Sequence, residues 1–177
     1  MLFGAGREWV YSRARGKVLE IGVGTGRNLY FYPTEVCRIG VELSPKMLEI
    51  ARRRARESGI EVDLRAGDAQ HLPFPDARFD TVVATLALCT IPDDRRAVTE
   101  MARVLRPGGR LLLLEHVRSP LVPVRVLQGI LNPLSVLLGK DHLLREPLRH
   151  VEGLGLVVEH LERSKLGIVE RLVARRP

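Results

Sequence analysis

The apolar positions of this chain fall into strand-length runs that alternate with helical stretches. Lys17 to Ile21 is a short apolar run ending in glycines and reads as a buried strand. Cys37 to Glu42 is a second. Ser44 and Pro45 then start a helix, with serine as N-cap and proline in the first turn. Its spacing predicts Met47, Ile50, Ala51 and Ala55 on one face and an end near Ser58 and Gly59, leaving the run Arg52 to Arg56 as a solvated outer face. Ile60 to Arg65 alternates and predicts a third strand. Phe79 to Thr85 is apolar beyond Asp80 and predicts a central fourth strand. Asp93 to Leu105 is helical, Arg106-Pro107-Gly108-Gly109 turns, and Arg110 to Glu115 is a fifth strand.

Strands and helices that alternate over short links imply a doubly wound α/β fold with a mostly parallel sheet and right-handed crossovers. Ligands in such folds sit at the carboxyl ends of the strands. The end of the chain differs. Leu121 to Leu138 is apolar at helical spacing, interrupted by Pro123, Gly129 and Pro133, and Arg145 to Val151 reads as another helix. Leu156 to Leu161 and Ile168 to Ala174 read as two last strands, close enough for an antiparallel hairpin.

Composition narrows the class. The 177 residues are 45% hydrophobic and 28% charged, which excludes a disordered, collagen-like or multi-span membrane protein and fits one domain over residues 1–177. The two cysteines, Cys37 and Cys89, exclude a disulfide scaffold and a cysteine-caged zinc module, and no metal is expected. The N-terminus lacks the basic start and apolar run of a secretory signal, and no stretch of about 20 apolar residues is long enough to span a bilayer. A cytoplasmic location is expected, with contact at a membrane surface left open. The 28 basic against 21 acidic residues give a charge of +7, which raises the question of an anionic partner.

The segment after the first strand is the most specific. Gly22-Val23-Gly24-Thr25-Gly26 turns the backbone sharply and lets it approach a bulky ligand, and a helix following it would offer free N–H groups. Its G-x-G-x-G spacing puts Arg27 where the dinucleotide fingerprint needs glycine or alanine, and the Gly-Lys-Ser/Thr of a phosphate loop is absent. Glu42, closing the second strand, can accept hydrogen bonds from both hydroxyls of a ribose. Asp68, in Gly67-Asp68-Ala69 after the third strand, can accept from an exocyclic adenine amine, with small Ala69 leaving room for the ring.

With these residues in register, the chain resembles a class I S-adenosylmethionine-dependent methyltransferase of the type 11 group, strongly over residues 16–117. The resemblance also rests on Leu72-Pro73-Phe74-Pro75 and Arg103-Val104-Leu105-Arg106-Pro107-Gly108-Gly109. It implies a Rossmann-like fold, S-adenosyl-L-methionine as methyl donor and S-adenosyl-L-homocysteine as product. It further implies that Gly22, Gly24, Thr25, Gly26 and Asn28 carry the methionine part with Glu20 supporting its amino group. Glu42 would hold the ribose, and Leu43 and Met47 would flank the adenine. Gly67, Asp68 and Ala69 would meet its edge, and Thr85 and Leu86 would floor the sulfonium. A closer likeness is to small thiol methyltransferases and bacterial phospholipid N-methyltransferases. It is carried by Gly-Thr-Gly-Arg-Asn-Leu with Tyr32-Pro33, by Thr85 to Cys89, and by Leu114-Glu115-His116-Val117.

The acceptor is expected to be small and rather apolar, a thiol or lipid amine first, a quinone-type C- or O-acceptor second. A non-catalytic protein that binds the same cofactor is the reading from another class. Thr85 to Pro92 lacks the polar clamp and stacking ring of exocyclic base-amine methylation, and aromatics are only 5%, which argues against nucleic acid. His116, after the fifth strand, is the candidate base; Cys89 reads as pocket lining. Residues 118–150 are expected to form a substrate lid or insert. Within them, Leu121 to Leu138 is read as an apolar lid, a membrane-lying helix, a core helix or a dimer face.

Overall fold

In the computed structural model, which describes residues 4–177, the apolar runs assemble into a seven-stranded sheet. Met1, Leu2 and Phe3 of the N-terminal stretch considered above lie outside the described residues. The strands are β1 (Lys17–Ile21), β2 (Cys37–Glu42), β3 (Asp63–Ala66), β4 (Phe79–Thr85), β5 (Leu105–His116), β6 (Val157–Ser164) and β7 (Val169–Arg175). Their order is β3-β2-β1-β4-β5-β7-β6. The first five are parallel, and β7 runs antiparallel to both β5 and β6. The mostly parallel sheet with an antiparallel terminal hairpin is as the sequence predicts.

The central strands are buried on both faces, and the run Leu111 to Leu114 of β5 shows why they are mostly apolar. Leu111 and Leu113 point into one core with Val82, Val98 and Met101, while Leu112 and Leu114 point into another with Val10, Tyr11 and Val83. Successive side chains of a strand face opposite ways, so a strand covered on both sides needs no polar alternation. Helices α3 (Asp94–Val104) and α5 (Pro147–Gly153) cover the first face and α1 (Gly4–Tyr11) the second. A third cluster seats α2 (Pro45–Glu57) on Val23, Leu29 and Leu64.

Caps set the helix starts. The Ser44 hydroxyl accepts the Met47 N–H at 3.3 Å, with Pro45 behind it, and the Asp93 carboxylate accepts the Arg96 N–H at 2.9 Å. The buried face of α2 carries Leu48, Ala51 and Ala55, so the expected face is rotated and Met47 is left exposed. The arginines of this helix are not all solvated: Arg54 donates to the Thr25 carbonyl and Arg52 to the Leu64 carbonyl.

Several expected boundaries move. No α-helix follows the glycine loop; the β1–β2 crossover is a single 3₁₀ turn, Leu29–Phe31. Pro33 disfavours helical backbone at the residue before it, and Tyr32 is extended, with φ −76° and ψ 144°. The third strand begins at Asp63 because the Ile60 N–H bonds back to the Ala55 carbonyl and closes α2. The Arg106 to Gly109 segment continues β5 instead of preceding it. The long apolar helix α4 (Val122–Gly139) runs through Pro133 uninterrupted. It is long and apolar enough by composition to cross a membrane, with mean hydropathy 1.3 over 18 residues, contrary to the sequence-based expectation. It is mostly exposed, so it is not a core helix.

Candidate active site

The carboxyl ends of four parallel strands converge on a cavity of about 590 Å³. Each end contributes by a different device. After β1, the Gly22 and Val23 N–H groups both donate to the Val41 carbonyl, at 2.9 and 3.2 Å, turning the chain over the end of β2. Gly22, Gly24 and Gly26 have φ of 66°, 58° and 74°, a region costly for any residue with a Cβ. A Cβ on Gly22 would stand 2.7 Å from that of Ala87 on the opposite wall.

Glu42 closes β2 with its carboxylate engaged on both sides. One oxygen accepts the Gly24 N–H at 2.9 Å and the other the Ser44 N–H at 2.8 Å. Each carboxylate oxygen has a further lone pair, so the group can still accept two hydroxyls from the cavity. Leu43 and Met47 stand beside it, 65% and 46% exposed, opposite Gly67, Asp68 and Ala69 beyond β3. Two large apolar side chains left open across from small ones make a slot for a flat ring. Asp68 accepts the Gln70 N–H at 2.8 Å, and this bond holds its carboxyl below the usual range. Leu86, at the end of β4, takes a left-handed φ of 52°, and its N–H donates to the Leu114 carbonyl at 2.9 Å. That backbone strain lies in the cavity wall. Ala87, Thr90, Ile91 and Pro92 continue the wall, and Gly139 and Lys140 close it from the end of α4.

Nine expected residues therefore line one cavity: Gly22, Gly24, Glu42, Leu43, Met47, Gly67, Asp68, Ala69 and Leu86. Glu20, Thr25, Gly26, Asn28 and Thr85 do not. Glu20 is buried beneath the glycine loop, accepting from the Tyr11 hydroxyl at 2.8 Å, the Asn28 amide at 2.9 Å and the Tyr32 hydroxyl at 3.1 Å. Burial raises its carboxyl pKa, and these donors oppose the rise. Glu20 and Asn28 thus support the loop from below. Thr25 is tied to Arg54, and Gly26 packs on Ala51, where a Cβ would come within 3.2 Å.

His116 ends β5 at the expected edge of the sheet but is not part of the cavity wall. Its Nε2 lies 2.7 Å from Asp141 Oδ1, one residue beyond Lys140 in the wall, and its Nδ1 is buried without a partner. Cys89, His116 and Asp141 each bring a donor atom within 4.8 Å of the others, a possible three-ligand set for a metal ion. Burial pushes the Cys89 thiol well up, and the Glu115 and Asp141 carboxylates add to this, so the protonated thiol is favoured there.

Glu115 is the functional residue that sequence reasoning missed. Its Oε1 accepts the Ala87 N–H at 3.0 Å and the Leu88 N–H at 3.2 Å, fixing the wall. A glutamate inside an apolar strand was the available signal. Burial pushes its pKa up to about 8 against the pull of those two N–H groups.

The strand order, the reversed last strand and the glycine loop facing a strand-end carboxylate are those of the class I S-adenosylmethionine-dependent methyltransferase fold. The chain belongs to the methyltransferase domain family, whose model matches residues 19–113. It is 40% identical over 126 residues to a phosphatidylethanolamine N-methyltransferase of Cereibacter sphaeroides, covering 70% of this chain and 62% of that one. It is 36% identical over 130 residues to a demethylmenaquinone methyltransferase of Thermus thermophilus, covering 67% and 58%. The chain thus spans about three fifths of the length of these curated relatives. In fold it is similar to the YcgJ protein of Bacillus subtilis, with TM-score 0.77 and 24% identity over 99% of this chain and 98% of that one.

Proposed function

We propose that the protein transfers a methyl group from S-adenosylmethionine to a small, rather apolar acceptor, a lipid amine or thiol. The observation that carries the acceptor reading is the cavity wall after β4. Leu86, Ala87, Ile91 and Pro92 offer apolar surface without a carboxylate, while the acidic groups of the cavity lie at the ends of β2 and β3. The likeness to a phosphatidylethanolamine N-methyltransferase supports an amine on an apolar carrier.

The bound cofactor supplies a methyl group on a sulfonium, open to in-line attack. The residues present fit it: a carboxylate with free lone pairs at the end of β2, an apolar slot beside it, and glycines where a Cβ would close the space. In this reading Glu42 accepts from the ribose hydroxyls, Leu43 and Met47 cover one face of the adenine, and Asp68 and Ala69 meet its edge. The glycine loop passes close to the methionine part, with Glu20 and Asn28 holding the loop. Residues 118–150 cover the acceptor side. The chain's own work is alignment and exclusion of water, which can supply several kcal/mol of the barrier.

A thiol or neutral amine needs little further help. A phenol or activated carbon wants a base. The likeness to a demethylmenaquinone methyltransferase and the His116–Asp141 pair favour this second reading. There Asp141 holds Nε2, and the His116 ring, outside the wall in this structure, must turn into the cavity to take the proton. S-adenosylhomocysteine release across a panel of lipid amines, thiols and quinols tests both. Turnover of an amine or thiol undiminished in His116→Ala supports the first; turnover confined to quinols and abolished in His116→Ala supports the second. Cofactor binding without turnover of any acceptor would leave a binding protein.

A further inference from the structure

Helix α4 is inside out. At 100° per residue, its six less exposed positions, Val124, Arg125, Gln128, Asn132, Ser135 and Val136, fall within an arc of about 120°. Four of these six are polar. The remaining twelve described residues of the helix are exposed, and every one is aliphatic, proline or glycine. Ile130, Leu137 and Leu138 are 69%, 80% and 78% exposed.

The polar row is what ties the helix down. Gln128 is buried, accepting the Ser119 N–H at 2.8 Å and donating to the Val117 and Leu143 carbonyls at 3.0 and 3.1 Å. Asn132 accepts the Leu143 N–H at 2.8 Å. A water-facing helix turns its polar row outward; this one spends it on the protein and leaves about two thirds of its circumference apolar.

We propose that α4 docks the protein on an anionic lipid bilayer, lying in the plane of the interface with its apolar face among the acyl chains. The helix does not span. Spanning would place its ends on opposite sides of a core about 30 Å thick. Both ends instead return to one side of the fold: the Ser119 hydroxyl donates to the Leu166 carbonyl at 2.6 Å, and the His142 N–H to the Cys89 carbonyl at 2.9 Å. An interfacial helix immersed by about 5–10 Å covers a broad apolar face. One partner helix from a second copy would cover only a narrow seam of it. Charge points the same way. Residues 117–140 hold no acidic residue; Arg118 is paired with Glu146 at 3.1 Å and Arg125 lies at the edge of the protein-facing row, while Lys140 at the end of the helix is exposed. Such a stretch suits anionic headgroups. Because Gly139 and Lys140 also line the cavity, docking sets its mouth at headgroup level. The proposal holds whichever acceptor is methylated.

Co-sedimentation with vesicles tests it. The wild-type chain should sediment with phosphatidylcholine vesicles containing phosphatidylglycerol, and less with phosphatidylcholine alone or at raised salt. I130D/L137D, two exposed positions away from the cavity, should lower the partition coefficient about a hundredfold or more. Its far-UV circular dichroism and its S-adenosylmethionine affinity by calorimetry should match wild type, which separates this result from any failure of the methyltransferase reading. Wild type that stays in the supernatant with both vesicles overturns the proposal, as does a variant that sediments like wild type. A lipid-free dimer, seen by light scattering and lost in the variant, with no vesicle binding would assign the face to a second copy instead.

Discussion

The Glu115 carboxylate accepts the Ala87 backbone N–H at 3.0 Å across the carboxyl end of the sheet. Ala87 faces Gly22 across the cavity, and that pair sets how closely the two walls approach. A buried acid on β5 therefore controls the shape of a site built from β1 and β4. It does so through a backbone donor, so the side chain at position 87 can stay small.

This carboxyl gives the protein a pH-dependent component of stability. Its pKa in the fold, about 8, lies above its ordinary value of 4.5, chiefly because it is desolvated. The folded state binds the proton more tightly than the unfolded chain. The contribution is thus fully present below about pH 4.5 and is lost as pH rises through about 8. Glu115→Gln keeps an acceptor for the Ala87 and Leu88 N–H groups but has no charge to bury. Thermal melts across that range should show wild type losing more stability on the alkaline side than the variant. Parallel curves would refute this role.

Gly22→Ala should damage both stability and the site. Left-handed backbone at φ 66° costs a residue with a Cβ about 1–2 kcal/mol, and the new methyl would meet Ala87 at 2.7 Å. Cofactor affinity by calorimetry should fall more than the melting temperature alone explains. Ala87→Gly in the same chain should recover part of the affinity by removing the contact, though not the backbone cost.

Glu42→Ala removes the acceptor for the Gly24 and Ser44 N–H groups and the group proposed for the ribose. Hydrogen bonds to a charged partner contribute about 1.5–3 kcal/mol, so the dissociation constant for S-adenosylmethionine should rise about tenfold to a hundredfold. Equal affinity in variant and wild type would remove Glu42 from the site.

Tyr11→Phe takes one donor from the buried Glu20 and leaves the ring packing in place. The loss should cost about 1–3 kcal/mol in chemical denaturation. Activity at saturating cofactor should survive if Glu20 only supports the loop. A loss of turnover without a loss of stability would instead mean that Glu20 acts on the cofactor directly.

Much of the fold was legible because it is written locally. Apolar runs mark strands covered on both faces, serine with proline marks the start of α2, and glycines with an acid one strand later mark the strand-end cavity. Where locality failed, a neighbour decided the outcome. Pro33 suppressed the helix after the loop, and the Ile60 N–H, committed to closing α2, shortened the third strand.

What the sequence by itself determined is the order of elements, the parallel sheet with its reversed end, and the nine residues that meet at the strand ends. Only the tertiary structure decided which way the ambiguous side chains face. Glu20 turns inward because Tyr11, from α1, and Tyr32 supply donors beneath the loop. His116 pairs with Asp141, 25 residues away, and is drawn off the cavity wall. The polar row of α4 points at the domain because the Ser119 and Leu143 N–H groups and the Val117 and Leu143 carbonyls need partners there. A hydropathy pattern records that a helix has two faces; the backbone groups it meets settle which one is buried.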